Sequence, residues 1–267
     1  MQQTVVANLK NQWKLAMTAP GHAFGFLLRR AIPFGIRFKD LEAYRISTWS
    51  HGRLPRMALL EILPGIENVG ITMVNLYRRK KGLSMDAGEV MVLCAIEKFL
   101  GARKVLEIGT YDGNTTVNLA ANLSDGGCVA TIDLPPDWDG RFVYNVPATA
   151  RNVTEGNGVG VQYRQSPYKS RVRQVLGDSA ALDWRQLDPP FDLIFVDGCH
   201  YYDYVKKDTE NAFQFLRSGG VVVWHDYGDL KDVSRAVDET ARTATVYAVR
   251  GTRLAIGWRG SGPQPAS

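Results

Sequence analysis

The feature that most constrains the fold is an alternation of short apolar segments with amphipathic ones, which starts near residue 85 and continues to residue 258. The segments "KVLEIG", "CVATIDL", "FDLIFVDG" and "VVVWHD" read as buried strands, and helical patterns such as "TTVNLAANL" lie among them. Parallel strands need crossover connections and are buried on both faces. The alternation therefore predicts an α/β fold with a mostly parallel sheet covered on both sides.

The two ends of the chain read differently from this middle part. The segment "ATVYAVRGTRLAIGW" predicts two strands around Gly251, and hence an antiparallel hairpin at the end of the sheet. Residues 1–83 show no core of their own, so we expect an N-terminal extension that packs on the domain of residues 84–259, or across a subunit boundary in a homo-oligomer. Residues 260–267, "GSGPQPAS", have the composition of a disordered tail.

Composition excludes several classes of protein. The chain has 267 residues, of which 45% are hydrophobic, as expected for a globular protein with a core. No apolar run approaches the roughly 18 residues of a membrane span, and the first residues do not resemble a secretory signal. The cysteines Cys94, Cys128 and Cys199 are odd in number and widely spaced, which favours reduced thiols and a cytoplasmic location.

The positive charge is concentrated near the start of the chain. Residues 1–82 carry 13 Lys and Arg against four Asp and Glu, and "RRKKG" at 78–82 is the densest cluster. Such a segment can dock on RNA or on an anionic membrane. No aromatic residues are interleaved with the cluster, so a solvated surface or a subunit contact is favoured over docking on nucleic acid.

The stretch "VLEIGTYDGNTT" has the pattern strand, glycine loop, helix. Gly109 allows a sharp turn after the strand, and Gly113 allows a ligand to approach the backbone closely. The helix that starts near Thr115 offers free N–H groups to a polar ligand. Neither a phosphate loop ending in Gly-Lys-Ser/Thr nor the full three-glycine dinucleotide spacing is present. The loop alone therefore indicates only a nucleotide-like ligand.

Polar residues at the following strand ends strengthen this interpretation. Asp133 ends the next strand, 26 residues after Glu107, where a carboxylate can accept hydrogen bonds from ribose hydroxyls. Asp178 and Ser179 follow a further strand-like segment and suit the edge of an adenine. Each residue could merely cap a helix, but strand ends of a parallel sheet converge on one ligand crevice. The series therefore predicts an adenosine-containing ligand.

These motifs resemble those of the class I S-adenosylmethionine-dependent methyltransferases, over roughly residues 84–258. The resemblance implies a Rossmann-like, doubly wound sheet of seven strands, mostly parallel with an antiparallel last strand. It implies S-adenosylmethionine (SAM) as the cofactor and a set of residues that line it: Glu107, Gly109, Thr110, Gly113, Asn114, Thr115, Asp133, Asp178 and Ser179.

A short match to enzymes that methylate DNA bases is misleading. "DPPF" at 188–191 precedes the strand "DLIFVD", whereas the motif of those enzymes follows its strand so that it can hold a flipped base. We therefore expect a turn there and no DNA substrate.

A second group of candidate residues follows the next two strands. Asp197 and Asp226 end neighbouring strands, and two carboxylates form a hard-oxygen site suited to Mg²⁺, with His225 as a third ligand or on the opposite side. A bound cation lowers the pKa of a substrate hydroxyl. His200, three residues after Asp197, is the candidate general base.

This layout is similar to that of metal-dependent O-methyltransferases of catechol and macrolide-sugar type. In the sugar enzymes a histidine also follows the metal aspartate by three residues, but an acidic residue and an aspartate stand where this chain has His225 and Asp226. The resemblance implies methyl transfer to a hydroxyl of a small molecule, namely a sugar, a glycosylated natural product or a phenol. Three alternatives stay open: a metal-independent methyltransferase, a cephalosporin-hydroxylase-like enzyme with the same fold, and an RNA- or membrane-docking module that binds the cofactor.

Aromatic residues near both groups are candidates for pocket walls. Trp138 follows Asp133 and can cover an adenine or pack on the extension. The four tyrosines can line a substrate pocket or belong to helix cores: Tyr201, Tyr202, Tyr204 and Tyr227.

Overall fold

The computed structural model describes residues 51–75, 85–136, 138, 141–146 and 158–266. The basic cluster at 78–82 and most of the extension lie outside these residues, so the predictions made for them are not addressed further.

The described residues form one sheet of eight strands. Its members are β1 (Arg56–Met57), β2 (Lys104–Ile108), β3 (Cys128–Asp133), β4 (Val172–Leu176), β5 (Phe191–Val196), β6 (Leu216–Trp224), β7 (Thr245–Val249) and β8 (Ala255–Trp258).

The spatial order of the strands is β1-β7-β8-β6-β5-β2-β3-β4. Strand β8 is antiparallel to both β6 and β7, and every other neighbouring pair is parallel. Between β7 and β8, Gly251 has φ of 81°, which a hairpin turn requires of it. The mostly parallel Rossmann-like sheet and the antiparallel hairpin are therefore confirmed.

The predicted number of seven strands is wrong by one. The additional strand, β1, comes from the extension and pairs with the edge strand β7, Arg56 opposite Ala248 and Met57 opposite Val249. Two residues are too few to show the alternation by which a strand is recognised in a sequence.

Helices connect the strands and cover both faces of the sheet. They are α1 (Leu59–Ile62), α2 (Ala87–Phe99), α3 (Asn114–Asn122), α4 (Val161–Arg164), α5 (Tyr202–Phe215) and α6 (Lys231–Thr240). Short 3₁₀ turns occupy 66–68, 169–171 and 184–187. The sequence analysis assigns no element to α6.

The two faces of the sheet have separate hydrophobic cores. Successive residues of a strand point to opposite faces. Val105 accordingly packs in the core that contains α2 and α3, whereas Leu106 packs in the core that contains α5 and α6. This alternation decides which face each residue at a strand end reaches, and therefore which of the candidate site residues meet.

The described part of the extension packs on the main domain. Ile62, Leu63 and Ile66 are buried in the core on the α2 side. Beyond them, Asn122 of α3 accepts a hydrogen bond from the N–H of Thr72 at 2.8 Å and donates one to its carbonyl at 2.7 Å. Residues 51–75 therefore complete the domain that the sequence analysis starts at residue 84.

Residues 260–266, for which the composition predicts disorder, form no helix or strand. They nevertheless contact the domain, because the N–H of Ala266 donates to the carbonyl of Phe99 at 2.8 Å and Pro263 is buried.

Candidate active site

A pocket opens at the carboxyl edge of the sheet, where β2, β3, β4 and β5 end side by side. Each of these ends contributes to its wall, through Gly109, Asp133, the segment 177–179 and the segment 198–200. Carboxyl ends of parallel strands are the usual ligand site of this architecture. The convergence that the sequence predicts is therefore present. The apolar part of the wall consists of Ile108, Ile132, Leu134, Pro135, Pro136, Trp138, Phe142 and Val146.

Gly109, in the pocket wall, packs directly against the backbone at the end of β5. Its φ is 100°, and a β-carbon placed on it would lie 2.1 Å from the carbonyl oxygen of Asp197. The N–H of Asp197 in turn donates to the carbonyl of Ile108 at 2.9 Å. The loop after β2 and the strand end that carries Asp197 are therefore packed backbone against backbone, which only glycine permits.

Asp133 lies in the pocket wall at the position expected for a ribose ligand. Its carboxylate accepts hydrogen bonds from the N–H groups of Tyr111 at 2.6 Å and Leu134 at 2.7 Å. Burial raises the pKa of Asp133, and these N–H donors oppose the rise. The residue thus shapes the glycine loop while it faces the pocket.

Asp178 and Ser179 also line the pocket. Most hydrogen-bond acceptor positions of the Asp178 carboxylate, however, are already used by groups of the protein itself. This carboxylate accepts hydrogen bonds from the N–H groups of Val143 and Ala180 and from the hydroxyl of Tyr204. A carboxylate has about four acceptor positions. Asp178 can therefore offer a ligand one position, and its main role is to hold the loop around Val143 and helix α5 at the pocket.

Glu107 does not line the pocket. It points to the α3 face, as Val105 does, and is fully buried. One of its carboxylate oxygens accepts hydrogen bonds from Thr116 at 2.5 Å and Thr131 at 2.6 Å. Thr110 joins the same network through a 2.7 Å contact with Thr131. The structure therefore assigns Glu107 and Thr110 to a buried network behind the pocket.

Gly113, Asn114 and Thr115 also lie away from the described pocket wall. A β-carbon on Gly113 would meet Gly160 at 2.9 Å, so this glycine accommodates another stretch of backbone. The N–H of Asn114 donates to Asp112, and the hydroxyl of Thr115 contacts the sulfur of Met85 at 3.6 Å. The expected close approach of a ligand at Gly113 is thus replaced by packing between protein segments.

The buried position of Glu107 predicts a pH-dependent stability. Burial raises its pKa from 4.5 to about 8, so the folded protein keeps a proton there that the unfolded chain releases. Stability should therefore fall as pH rises from about 4.5 to 8, by roughly 1.4 kcal/mol per pH unit from this group. Glu107→Gln mimics the protonated form and should remove that slope.

The measurement is urea unfolding of both proteins at pH 5, 6, 7 and 8. Other groups titrate in both chains, so the difference between the two free energies isolates Glu107. A difference that stays constant over this range would contradict the prediction.

Some of the candidate aromatic residues line the pocket, and others lie away from it. Trp138 and Tyr204 line the pocket. Tyr227 is buried under the extension, with its hydroxyl bonded to Asp238 and to the N–H of Leu54. Tyr202 bonds Glu239 and lies beneath the guanidinium of Arg235. Tyr202 and Tyr227 are therefore structural.

Next to the pocket, the ends of β5 and β6 bring the second group of candidates together. The Nδ1 atom of His225 lies 3.1 Å from Oδ1 of Asp197 and 3.3 Å from Oδ1 of Asp226. One ligand atom from each of the three residues lies within 4.8 Å of the others. This spacing and these donor atoms fit a single divalent cation.

Two residues that the sequence analysis missed surround this cluster. Glu89 of α2 lies with Oε2 3.1 Å from Nε2 of His225, and Arg253 binds the same oxygen at 2.8 Å. Arg253 also contacts Oδ1 of Asp226 at 2.9 Å. His225 points to the α2 face of the sheet, like Val223 two residues earlier. That shared direction brings it to Glu89.

The charges of this cluster stabilise each other. Burial opposes ionisation of Asp197, but the neighbouring His225 and His200 outweigh it and lower its pKa. Burial likewise opposes the charged form of His225, but the charge of Asp197 and hydrogen bonds to carboxylates raise its pKa. In Glu89, hydrogen bonds from His225 and Arg253 overcome burial and lower the pKa to about 2. The cluster is therefore an ionised network of carboxylates and cations.

His200 lies between the pocket and the cluster. It lines the pocket, and its Nε2 is 3.2 Å from Oδ2 of Asp226 and 3.7 Å from Oδ1 of Asp197. Its side chain is 46% exposed, in contrast to 6% for His225. Of these two histidines, His200 is thus the one that a substrate can reach.

Comparisons with known proteins relate this chain to methyltransferases. A family model described as a methyltransferase domain matches residues 106–227, from the end of β2 to just past Asp226. A protein of Mycobacterium tuberculosis (strain ATCC 25177 / H37Ra), whose name assigns it as an O-methyltransferase, is 31% identical over 179 residues, covering 64% of this chain and 70% of that protein. Another from Mycobacterium ulcerans (strain Agy99) is 32% identical over 163 residues, covering 60% and 62%.

Among solved structures, the O-methyltransferase TomG from Streptomyces achromogenes, involved in tomaymycin synthesis and in complex with SAM, shares the fold. The TM-score is 0.51 at 18% identity, over 85% of this chain and 100% of that one.

These relationships define the class of protein. The chain belongs to the class I S-adenosylmethionine-dependent O-methyltransferases. Glu89 and Arg253 lie outside the range that the family model matches. None of the helices in the described residues is long and apolar enough to cross a lipid bilayer.

Proposed function

We propose that this methyltransferase transfers the methyl group of SAM to a hydroxyl of a small molecule, with His200 as general base and a divalent cation held by Asp197, His225 and Asp226. The acceptor class is that suggested by the sequence: a sugar, a glycosylated natural product or a phenol. The observation that carries the proposal is the position of His200, which lines the cofactor pocket and lies 3.2 Å from Asp226.

The arrangement of the pocket supports the cofactor part of the proposal. Asp133 presents its carboxylate at the end of β3, and Trp138 lies in the same wall. We propose that Asp133 binds the ribose hydroxyls and that Trp138 covers the adenine, with Ser179 and the remaining acceptor position of Asp178 at its edge. The cofactor supplies an activated methyl group and leaves as S-adenosylhomocysteine.

The donor set of the cluster supports the cation. Two carboxylates and one imidazole nitrogen converge, and a cation bound there would lower the pKa of a hydroxyl that it contacts. His200, on the pocket side of the cluster, is then placed to accept the hydroxyl proton as the methyl group moves to oxygen. Holding acceptor and methyl donor about 3 Å apart accounts for much of the expected acceleration.

The experiment that tests the proposal is a screen of sugars, glycosides and phenols with the purified full chain, SAM and either Mg²⁺ or a chelator. We expect methylated product and S-adenosylhomocysteine from hydroxylated acceptors, with loss of activity in the chelator and recovery on adding metal. Full activity in the chelator would assign the chain to the metal-independent alternative. Methylation of amines or thiols alone would contradict the acceptor class.

Cofactor binding gives a separate prediction that needs no acceptor. Asp133→Ala should weaken SAM binding about 10- to 100-fold, because hydrogen bonds to a charged group contribute roughly 1.5–3 kcal/mol. Calorimetric titration measures the affinity, and a thermal melt checks that the glycine loop still folds. Asp183→Ala is the matched control, since Asp183 bonds Arg185 outside the pocket. Equal affinity of both variants would exclude Asp133 as the ribose ligand.

A further inference from the structure

We infer that the cation site is a mixed nitrogen–oxygen site that favours Mn²⁺ or Co²⁺ over Mg²⁺, with His225 as the ligand that sets this preference and Glu89 as its positioning residue. The inference rests on the proposed cation site and deepens it, because it names the class of metal from the donor atoms.

The first step is the ligand set. Nδ1 of His225 is the central atom of the cluster, within 3.3 Å of a carboxylate oxygen from each aspartate. Mg²⁺ prefers oxygen ligands in near-ideal octahedral geometry. Imidazole nitrogen suits first-row transition ions, whose affinity also rises from Mn²⁺ to Co²⁺. A site in which one of three protein ligands is an imidazole should therefore discriminate against Mg²⁺.

The second step is the orientation of the ring. Nε2 of His225 is bound to Glu89 at 3.1 Å, and the ring is 6% exposed. Glu89 is itself held by three hydrogen bonds from Arg253, through its backbone N–H, Nε and Nη2. A carboxylate on the outer nitrogen is the usual way in which proteins direct the other nitrogen of a histidine to a metal. The ring is thus fixed with Nδ1 towards the two aspartates, and a bound metal ion would replace the proton on Nδ1.

The third step is the charge around the oxygen ligands. Arg253 donates from Nη1 to Oδ1 of Asp226, the same oxygen that belongs to the cluster. A guanidinium this close weakens the electrostatic attraction of that carboxylate for any cation. The guanidinium should therefore lower the affinity for Mg²⁺, which is held mainly by charge, more than the affinity for an ion that also bonds to the imidazole nitrogen.

The test uses the full chain and three metals. Mn²⁺ binding is followed by electron paramagnetic resonance, Mg²⁺ and Co²⁺ by competition, and the ligand atom by spin-echo modulation from a coordinated nitrogen. We expect nitrogen modulation in the wild-type protein. In His225→Asn, which offers an amide oxygen, the modulation should vanish and the preference for Mn²⁺ over Mg²⁺ should fall at least about tenfold.

Three further variants separate the roles of Glu89 and His200. Glu89→Ala should weaken Mn²⁺ binding by about 10- to 100-fold, as typical for loss of a partner behind a metal ligand, and Glu89→Gln should restore most of it. His200→Asn is the matched histidine control and should keep the nitrogen modulation, because His200 lies at the edge of the cluster.

Several outcomes would overturn the inference: Mn²⁺ bound without nitrogen modulation, modulation lost in His200→Asn instead, or an unchanged metal preference in His225→Asn. If His225→Asn does not fold, the spin-echo result on the wild-type protein alone decides. Tight Mg²⁺ binding with no nitrogen signal would refute the inference and leave the proposed cation-assisted function standing. Binding of none of the three metals would refute both.

Discussion

Replacing His200 by alanine should lower the rate of methyl transfer by at least about 100-fold, the loss typical of a missing general base. The expectation follows from the position of the side chain, which lines the proposed cofactor pocket and whose Nε2 lies 3.2 Å from Asp226. SAM affinity should stay nearly unchanged, because the predicted cofactor contacts come from the ends of β2, β3 and β4. The rate is measured in single turnovers with an acceptor from the screen, so that product release does not mask the chemical step.

His51 provides the matched control for this experiment. It is exposed, and within the described part of the chain its one hydrogen bond is from its backbone N–H to the carbonyl of Gly228, just beyond the cluster. His51→Ala removes a histidine from the same region without touching the acidic residues. An unchanged single-turnover rate in His200→Ala, or equal losses in both variants, would rule out His200 as the base.

Much of the fold was predictable because its strands are marked by local sequence patterns. Buried parallel strands are short apolar runs, and β2, β3 and β5 lie within the segments that the sequence predicts. The same is true of the hairpin, where a single glycine separates two β-rich segments. β1 has no such local pattern, since its two residues form a strand only by pairing with residues of β7 that are 192 positions away in the sequence.

The candidate site was predictable where strand ends alone decide position. Asp133, Asp178 and His200 all line the pocket because they stand at or shortly after the ends of β3, β4 and β5. Glu107 is not part of the described pocket wall, and the sequence does not indicate this because β2 is buried on both faces, so its residues do not alternate between apolar and polar. One feature could have indicated the buried position of Glu107. Thr131 lies opposite Glu107 on the neighbouring strand β3 and offers a hydroxyl on the same face of the sheet.

Glu89 and Arg253 were missed for a different reason. Glu89 stands three residues after Asp86 at the start of α2 and accepts a hydrogen bond from its N–H at 3.3 Å, the local contact expected of a helix N-terminus. In the sequence, Arg253 is an ordinary charged residue next to a predicted hairpin turn. Each has an ordinary local explanation, and only the folded chain shows that they meet at His225 and Asp226.

Gly109→Ala should destabilise the protein by about 2–5 kcal/mol and abolish metal binding. A left-handed φ costs a residue with a side chain roughly 1–2 kcal/mol, and forcing an extra carbon into a packed site costs about 1–3 kcal/mol more. The new carbon would lie 2.1 Å from the carbonyl oxygen of Asp197. Backbone at the end of β5 cannot yield without moving the carboxylate that the cation site needs.

Gly126→Ala separates the cost of a positive φ from the cost of the steric clash with Asp197. Gly126 also has a positive φ, 73°, but a β-carbon there would meet nothing within 4 Å. It should therefore show only the conformational cost, with Mn²⁺ binding intact. Urea unfolding and Mn²⁺ titration of both variants give the comparison. Equal destabilisation, or retained metal binding in Gly109→Ala, would mean that the glycine loop and Asp197 are not coupled. A larger loss of stability in Gly109→Ala, together with loss of Mn²⁺ binding in that variant alone, would show that Gly109 couples the glycine loop to the proposed metal site.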